Sequence, residues 1–288
     1  KQEGMLHENE AAEILRQICQ GEHMHPSEVK EGKIELIADC EGVLKINTEK
    51  LNAVNNLGEM MIASRHGNFP VKTGDKIAGT RIIPLVIEEE KMQKACEVAG
   101  KEPIFRILPY QKKKAGIVTT GSEVYYHRIE DKFTPVVIEK LKECGVTEVK
   151  QIQCNDDHEM IMEAIQTLIE DGSDLIVCTG GMSVDPDDRT PLAIKNACTE
   201  VVTYGAPVLP GAMFMLAYCE KEGRQIPVMG LPGCVMYAKR TIFDLVLPRI
   251  MCDEKLHEKD FRLLGQGGLC LSCPVCTFPN CGFGKGGY

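Results

Sequence analysis

Two stretches carry residue types that could do chemistry: TTGSEV (Thr119–Val124) and TGGMSVDPDDRTP (Thr179–Pro191). Each follows an apolar run, turns on glycine and becomes acidic. Glycine lets a backbone approach a ligand closely and leaves its N–H groups unobstructed. A helix start beside such a turn favours an anion. Gly121-Ser122 and Gly180-Gly181 therefore suit a phosphate. Asp185, Asp187 and Asp188 would repel a bare phosphate, but they suit a divalent cation bridging them to one. Mg²⁺ is commonly held by one or two carboxylates plus substrate phosphates. NDDHEMI adds Asp156 and Asp157, and LPG (Leu231–Gly233), with Pro232 and Gly233, supplies a further turn. The DPDDRTP run also reads as a plain helix entry, with Asp188 as cap and Pro191 in the first turn.

The elements around these loops follow a strand–helix rhythm. AGIVTT, VKQIQC, DLIVCT and IPVMGLP read as strands, and residues 132–144, 157–171, 190–197 and 235–250 as helices. Such alternation predicts a mostly parallel sheet with helices on both faces. Ligands bind such sheets at the carboxyl ends of the strands. The candidate loops, Thr119–Glu123, Asn155–Asp157, Thr179–Asp188 and Leu231–Gly233, all fall there.

Ahead of this domain the pattern differs. Residues 8–19 read as a short helix, and Lys33–Ile46 alternates about Glu41-Gly42 as a hairpin would. Residues 59–87 continue the alternation, and residues 88–98 form a charged linking helix. The expected organisation is a β-rich, barrel-like module over 1–100, an α/β domain over 101–255 and a Gly/Cys-rich tail over 256–288. The tail holds Cys270, Cys273, Cys276 and Cys281 as C-x₂-C-x₂-C-x₄-C. Four thiols so close suit a zinc ion or an iron–sulfur centre, and the surrounding glycines predict a mobile segment. The other cysteines of the 14 are isolated, mostly among apolar residues. That usage points to a reducing cytoplasm rather than a disulfide framework.

Of the 288 residues, 43% are hydrophobic, and the formal net charge is −9. A duplex-binding surface shows a basic excess, so nucleic acid is disfavoured. No apolar run approaches the ~20 residues of a membrane span. Opening at Lys1 rather than Met is what a piece of a longer chain shows. His23 and His25 read as a solvated loop, His127 and His158 as neighbours of the acidic loops, and Lys72 and Lys76 as turn lysines.

The motifs resemble a family. TGGMSVDPDDRTP is similar to the signature of the molybdopterin-binding domain of molybdenum cofactor biosynthesis proteins. TTGSEV, NDDHEMI, GAPVLPGAMF and GLPGCVMYA resemble its other segments in order, over about residues 114–250. The resemblance implies a three-layer α/β fold that binds the pterin and its phosphate. It assigns Asp156 and Asp188 as the catalytic aspartates of the adenylyltransferase branch. It assigns Thr119, Thr120, Gly121, Ser122, Gly180, Gly181 and Ser183 to the cradle, and Glu123, Thr179 and Asp185 lie in the same loops. Mg²⁺ would sit at Asp187 and Asp188. The implied ligand is molybdopterin or its adenylylated form. A molybdoenzyme recipient and a homo-oligomer, dimer or trimer, are the expected partners. Ser122 stands where the molybdenum-inserting branch commonly has aspartate, and LPGCV replaces LPG-Asn-Pro. Metal insertion, adenylyl transfer, cofactor carriage and a nucleotide pyrophosphatase of the same fold all stay open.

Overall fold

The computed structural model describes residues 3–286. It divides into two units, Lys1–Tyr110 and Gln111–Tyr288.

The first unit runs β1 (Met5–His7), α1 (Glu8–Cys19), β2 (Met24–Pro26), β3 (Ile34–Ala38), β4 (Gly42–Ile46), α2 (Thr48–Asn55), β5 (Met60–Ser64), β6 (Pro70–Val71), β7 (Lys76–Ile82), β8 (Val86–Glu88), α3 (Glu89–Ala99) and β9 (Phe105–Pro109). A capping box starts α1: the His7 ring accepts from the Asn9 N–H, and Glu10 accepts from the His7 N–H at 3.0 Å. Its apolar stripe, including Ala11, Leu15 and Ile18, is buried in the unit's core with Leu36, Ile77 and Phe105. The strands form sheets ordered β2-β3-β7-β5 and β6-β4-β9, with β1 paired to β8. The expected hairpin over residues 33–46 is thus not made: β3 and β4 enter different sheets. A reason lies at Gly42, where any Cβ would overlap the Leu108 carbonyl, so the strand closes tightly on β9 instead. That pairing also keeps residues 105–109 in the first unit.

The second unit runs β10 (Lys114–Thr120), α4 (Ser122–Tyr125), α5 (Phe133–Glu143), β11 (Glu148–Cys154), α6 (His158–Glu170), β12 (Leu175–Thr179), α7 (Thr190–Ala197), β13 (Glu200–Tyr204), β14 (Met215–Lys221), β15 (Arg224–Leu231), α8 (Ile242–Met251) and α9 (Glu258–Arg262). Its six-stranded sheet is ordered β11-β10-β12-β15-β14-β13. β11, β10, β12 and β15 are parallel, while β14 runs antiparallel to both neighbours. Val118, Ile176, Cys178 and Val228 pack with α6 and α7 residues in one core. The architecture is α/β with a mixed, mostly parallel sheet, as the strand–helix rhythm implies. The β13–β14 arm is not evident from that rhythm.

The helix expected over residues 235–250 is interrupted. A short 3₁₀ turn (Gly233–Met236) precedes α8, which restarts at the Thr241 cap. Asp244 closes a capping box on the Thr241 N–H at 2.8 Å. The same carboxylate accepts from Lys140 Nζ at 2.6 Å and from Arg240 at 2.8 Å. Both Lys140 and Asp244 are buried, so this pair fixes α5 against α8. The tail is packed rather than free. The Leu209 N–H donates to the Gly268 carbonyl and the Leu209 carbonyl accepts from the Cys270 N–H, both at 2.8 Å, and Phe283 is 4% exposed.

Removing one partner of a buried ion pair leaves an uncompensated charge and costs about 3–5 kcal/mol. Asp244→Ala should lower unfolding free energy by about that amount. Urea denaturation, with an unchanged slope, checks it; a loss under about 1 kcal/mol would contradict the assignment.

Candidate functional site at the carboxyl edge of the sheet

The register of the parallel strands brings their ends together. Thr120 is level with Cys154, Thr119 with Thr179, and Thr179 with Leu231. The chain leaves β10 for β11 on one side and returns to β12 on the other. The crevice between β10 and β12 is therefore a topological switch point, where open α/β sheets bind ligands.

Gly180 and Gly181 sit in that crevice with φ of 85° and 59°. A Cβ on Gly180 would overlap the Thr120 carbonyl, and one on Gly181 would press on the Thr190 hydroxyl. The loop can close only because both side chains are missing. Behind it, the Thr120 hydroxyl donates to the Thr179 carbonyl at 3.0 Å, and that of Thr190 donates to the Gly180 carbonyl at 2.9 Å. The two hydroxyl oxygens are 3.1 Å apart. Thr190 opens α7, which carries no side-chain cap. Asp188 does not cap this helix, so the plain helix-entry role is not the one it takes.

Two Ser–Asp clamps frame the crevice. Asp188 Oδ2 accepts from the Ser183 N–H at 2.6 Å and from its hydroxyl at 2.7 Å. Asp156 Oδ2 accepts from the Ser122 N–H at 2.9 Å and from its hydroxyl at 2.8 Å. The first clamp closes within the β12–α7 loop, and the second ties the β11 loop to the β10 loop. Asp185 supports the first: its backbone carbonyl accepts from Asp188 N–H at 3.0 Å, and its carboxylate from Asp187 N–H at 2.9 Å. In both clamps the two hydrogen bonds fall on Oδ2, and among the described residues none is seen to the second oxygen, Oδ1. The Asp187 carboxylate is exposed beside them. Among the described residues no three His, Cys, Asp or Glu side chains converge as a metal-ligand set. These residues fit a cation held by one or two carboxylates and completed by ligand oxygens.

Other expected residues lie elsewhere or are occupied. Asp157 caps α6, accepting from Met160 N–H at 2.9 Å. His158 contacts Asn196 at 2.9 Å. His127 is exposed beyond α4, and His25 pairs with Asp39 in the first unit. Glu123 and Gly233 are exposed at the edge, and Pro232 is buried behind it. Thr119 is turned away from Thr120, to a network under α5. Its hydroxyl lies 3.0 Å from that of Thr134 and 2.8 Å from Gln151 Nε2, which also donates to Asp131 at 2.9 Å. Thr179, level with Thr119, is buried, and among the described residues its hydroxyl has no hydrogen-bond partner. The four tail cysteines line one cavity without converging on a point.

Residues not foreseen also enter. Tyr204 ends β13 at this same edge, and its phenol is pushed up by burial and by the Asp188 charge. The strand–helix rhythm of the sequence does not include β13, so it gives no signal for Tyr204. Burial pushes the Asp131 carboxyl up, but hydrogen bonds from Thr134, Gln151 and Phe133 outweigh it and hold it below the usual range. The TP in DDRTP marks Thr190 as a helix start, but not as a partner of Thr120.

With the geometry described, comparison with known proteins identifies the class. Residues 116–251, just under half of the chain, match the family model described as "Probable molybdopterin binding domain". The second unit thus carries a domain of the molybdopterin-binding family. Among curated proteins, a CinA-like protein of Mycobacterium sp. (strain MCS) is 35% identical over 85 residues, 30% of this chain and 20% of its own length. A CinA-like protein of Mycobacterium avium (strain 104) is 34% identical over 95 residues, 33% of this chain and 22% of its own. The chain thus spans about a fifth of the length of these relatives. Among solved structures, the tungsten cofactor synthesizing protein MoaB from Pyrococcus furiosus is 22% identical, covering 43% of this chain and 84% of its own, with a TM-score of 0.38. CinA from Thermoplasma acidophilum is 16% identical, covering 41% and 88%, with a TM-score of 0.34. Among the described residues, no helix is long and apolar enough to cross a membrane.

Two outcomes test the site's scaffold. Gly180→Ala adds a Cβ where φ is positive and a carbonyl is in the way, so it should cost well over ~1 kcal/mol. Gly233→Ala meets nothing within 4 Å and should leave the thermal midpoint within about 2 °C. Equal midpoints for the two variants would contradict the close approach. The depressed Asp131 carboxyl contributes stability that is complete above its unfolded pKa, near ~4. That stability is lost as pH falls through the folded value. Asp131→Asn should flatten stability below about pH 4 relative to the parent; parallel acid limbs in urea titrations would contradict it.

Proposed function

We propose that the second unit binds molybdopterin or its adenylylated form at this edge and makes or breaks its adenylyl-phosphate bond. The observation that carries the reading is the pair of Ser–Asp clamps at one sheet edge, Ser183–Asp188 after β12 and Ser122–Asp156 between the β10 and β11 loops. The family match supports the pterin ligand, and the clamps support the chemistry.

Gly180 and Gly181 offer unobstructed N–H groups beside the start of α7, a setting that favours a phosphate. Ser183 and Ser122 each hold one oxygen of Asp188 and Asp156, which orients the other oxygen before any ligand arrives. Asp188 and Asp156, with Asp187 beside them, would hold Mg²⁺. When bound, Mg²⁺ neutralises charge that grows on the phosphate oxygens as the phosphoanhydride forms or breaks. The raised Tyr204 phenol stays protonated at neutral pH and is a hydrogen-bond donor for a ligand near Asp188. Thr120 and Thr190 hold the loop in place behind the phosphate, so little rearrangement is needed on binding. In this reading the chain is a transferase of cofactor maturation, working either by adenylyl transfer or by metal insertion with release of AMP. A homo-oligomer and a molybdoenzyme recipient belong to the same proposal.

The test follows AMP and pyrophosphate. The 288-residue chain is given Mg²⁺ with ATP and molybdopterin, or with adenylylated molybdopterin and molybdate. Asp188→Asn and Asp156→Asn should each slow turnover by about 10²-fold or more, while pterin binding by quenching of its fluorescence persists. Tight binding without turnover in the parent would sink the enzyme reading in favour of a carrier. Cleavage of ADP-ribose with no pterin binding would replace it with a pyrophosphatase.

A further inference from the structure

The four tail cysteines lie outside the site just described. Cys270, Cys273, Cys276 and Cys281 all line one cavity of about 560 Å³. The loop that carries them is stapled at its base. Gly284 N–H donates to the Gly267 carbonyl at 2.8 Å, and Gly284 itself lies against Leu245 of α8, where a side chain would not fit. On the entering side, Leu269 bridges to Leu209. Between these anchors the loop does little for itself. Among the described residues one backbone hydrogen bond, Asn280 to Thr277 at 2.7 Å, lies within residues 271–281. Leu271 and Val275 are 78% and 75% exposed. Ordering each residue costs about 1–2 kcal/mol of backbone entropy, and contacts from outside reach the loop at Pro274, through Lys239, and at Phe278, through Arg240.

A thiolate-bound metal centre would tie the cysteine-bearing part of this loop together. A single zinc ion needs four sulfurs ~2.3 Å from one point. No three ligands among the described residues converge in that way, but all four cysteines line the same cavity. Cysteines lining one cavity suit a polynuclear centre, whose metal atoms occupy separate corners. The C-x₂-C-x₂-C run is the spacing bacterial ferredoxins use for three corners of such a centre. Cys281 follows five residues after Cys276 and is available for the fourth. The charge is also complementary. Lys239 and Arg240 line the cavity, and Lys239 already reaches the loop, donating to the Pro274 carbonyl at 3.2 Å. Arg240 is already paired with Glu143 and Asp244, so Lys239 is the cation beside the thiols that this loop engages.

We propose that Cys270, Cys273, Cys276 and Cys281 hold a [4Fe–4S] cluster in this cavity, and that the cluster orders the loop. Loading by ligand exchange balances simply. A cluster capped by four small thiolates is presented; each cysteine Sγ–H passes its proton to a departing thiolate as its sulfur bonds iron. No electron changes hands.

The test uses the full chain, prepared without oxygen and treated with a cluster capped by small thiolates. The expected result is about four iron and four sulfide per chain, with the broad visible absorbance of an iron–sulfur centre. Cys273→Ala and Cys276→Ala should each lower bound iron at least twofold. Cys96→Ala, an exposed cysteine of the first unit, should bind as the parent does. Cys273 and Cys276 are exposed, so the metal-free variants should melt with the metal-free parent, which separates lost ligation from lost fold. One zinc per chain without sulfide, no bound metal, or undiminished iron in both variants would overturn the proposal.

Discussion

The close approach of the Gly180 loop to the end of β10 is the constraint on which the site depends. A parallel sheet leaves a crevice where the chain reverses its direction of winding, but its width is set by the loops. Here the Gly180 backbone rests directly against the Thr120 carbonyl. Once that contact is made, Thr190 is held over the glycines, the start of α7 is aimed at the crevice, and Ser183 and Asp188 are brought to its rim. A residue with a Cβ at this position would push the loop outward and carry the Ser183–Asp188 clamp with it.

The scaffold supporting this contact is polar as well as apolar. On one face, α6 and α7 cover Val118, Cys178 and Val228 with aliphatic side chains. On the other, Thr119, Thr134, Gln151 and Asp131 form a hydrogen-bonded net beneath the same strand ends, and Lys140–Asp244 joins α5 to α8. Hydrogen bonds have narrow distance and angle limits. A net of this kind therefore locates the strand ends more sharply than apolar contact does. The two adjacent threonines of β10 divide the work, with Thr119 serving the net and Thr120 the crevice.

Much of the second unit is legible in its sequence because periodicity there coincides with structure. The apolar runs of β10 and β12 are buried strands, and the stripe of α6 reaches the core. What escaped was decided by long-range pairing. β13 and β14 are flanked by Gly205, Pro207, Pro210, Gly211 and Gly223, but they break the strand–helix rhythm, so that rhythm does not place Tyr204 at the edge. The 239–241 break is local, yet Lys-Arg-Thr reads as a continuing helix until Thr241 and Asp244 are seen as a capping box. The alternation of residues 33–46 announced two strands truthfully, but adjacency in sequence does not decide which strands pair. The acidic loop showed its carboxylates plainly. Its internal wiring, with Ser183 as the partner of Asp188, is a matter of backbone turns that spacing does not reveal.

An acidic protein that takes an anionic ligand must reverse its own field locally. With a formal charge of −9, the long-range potential opposes a phosphate, and screening beyond ~10 Å removes only the distant part of that opposition. Near the crevice the balance is set by groups within a few ångströms. On the proposed reading, the N–H groups of Gly180 and Gly181 and the start of α7 supply fixed positive poles. The two clamps hold Asp156 and Asp188 so that each offers one oxygen. Asp156 and Asp188 would hold a divalent cation, which would supply the positive charge that lets the carboxylates sit near a phosphate. The serines would then be more than spacers, because each fixes one oxygen of its carboxylate through two hydrogen bonds and so fixes the direction of the other. Removing either serine would leave the charges in place but unaligned, which predicts weaker metal binding rather than a lost fold.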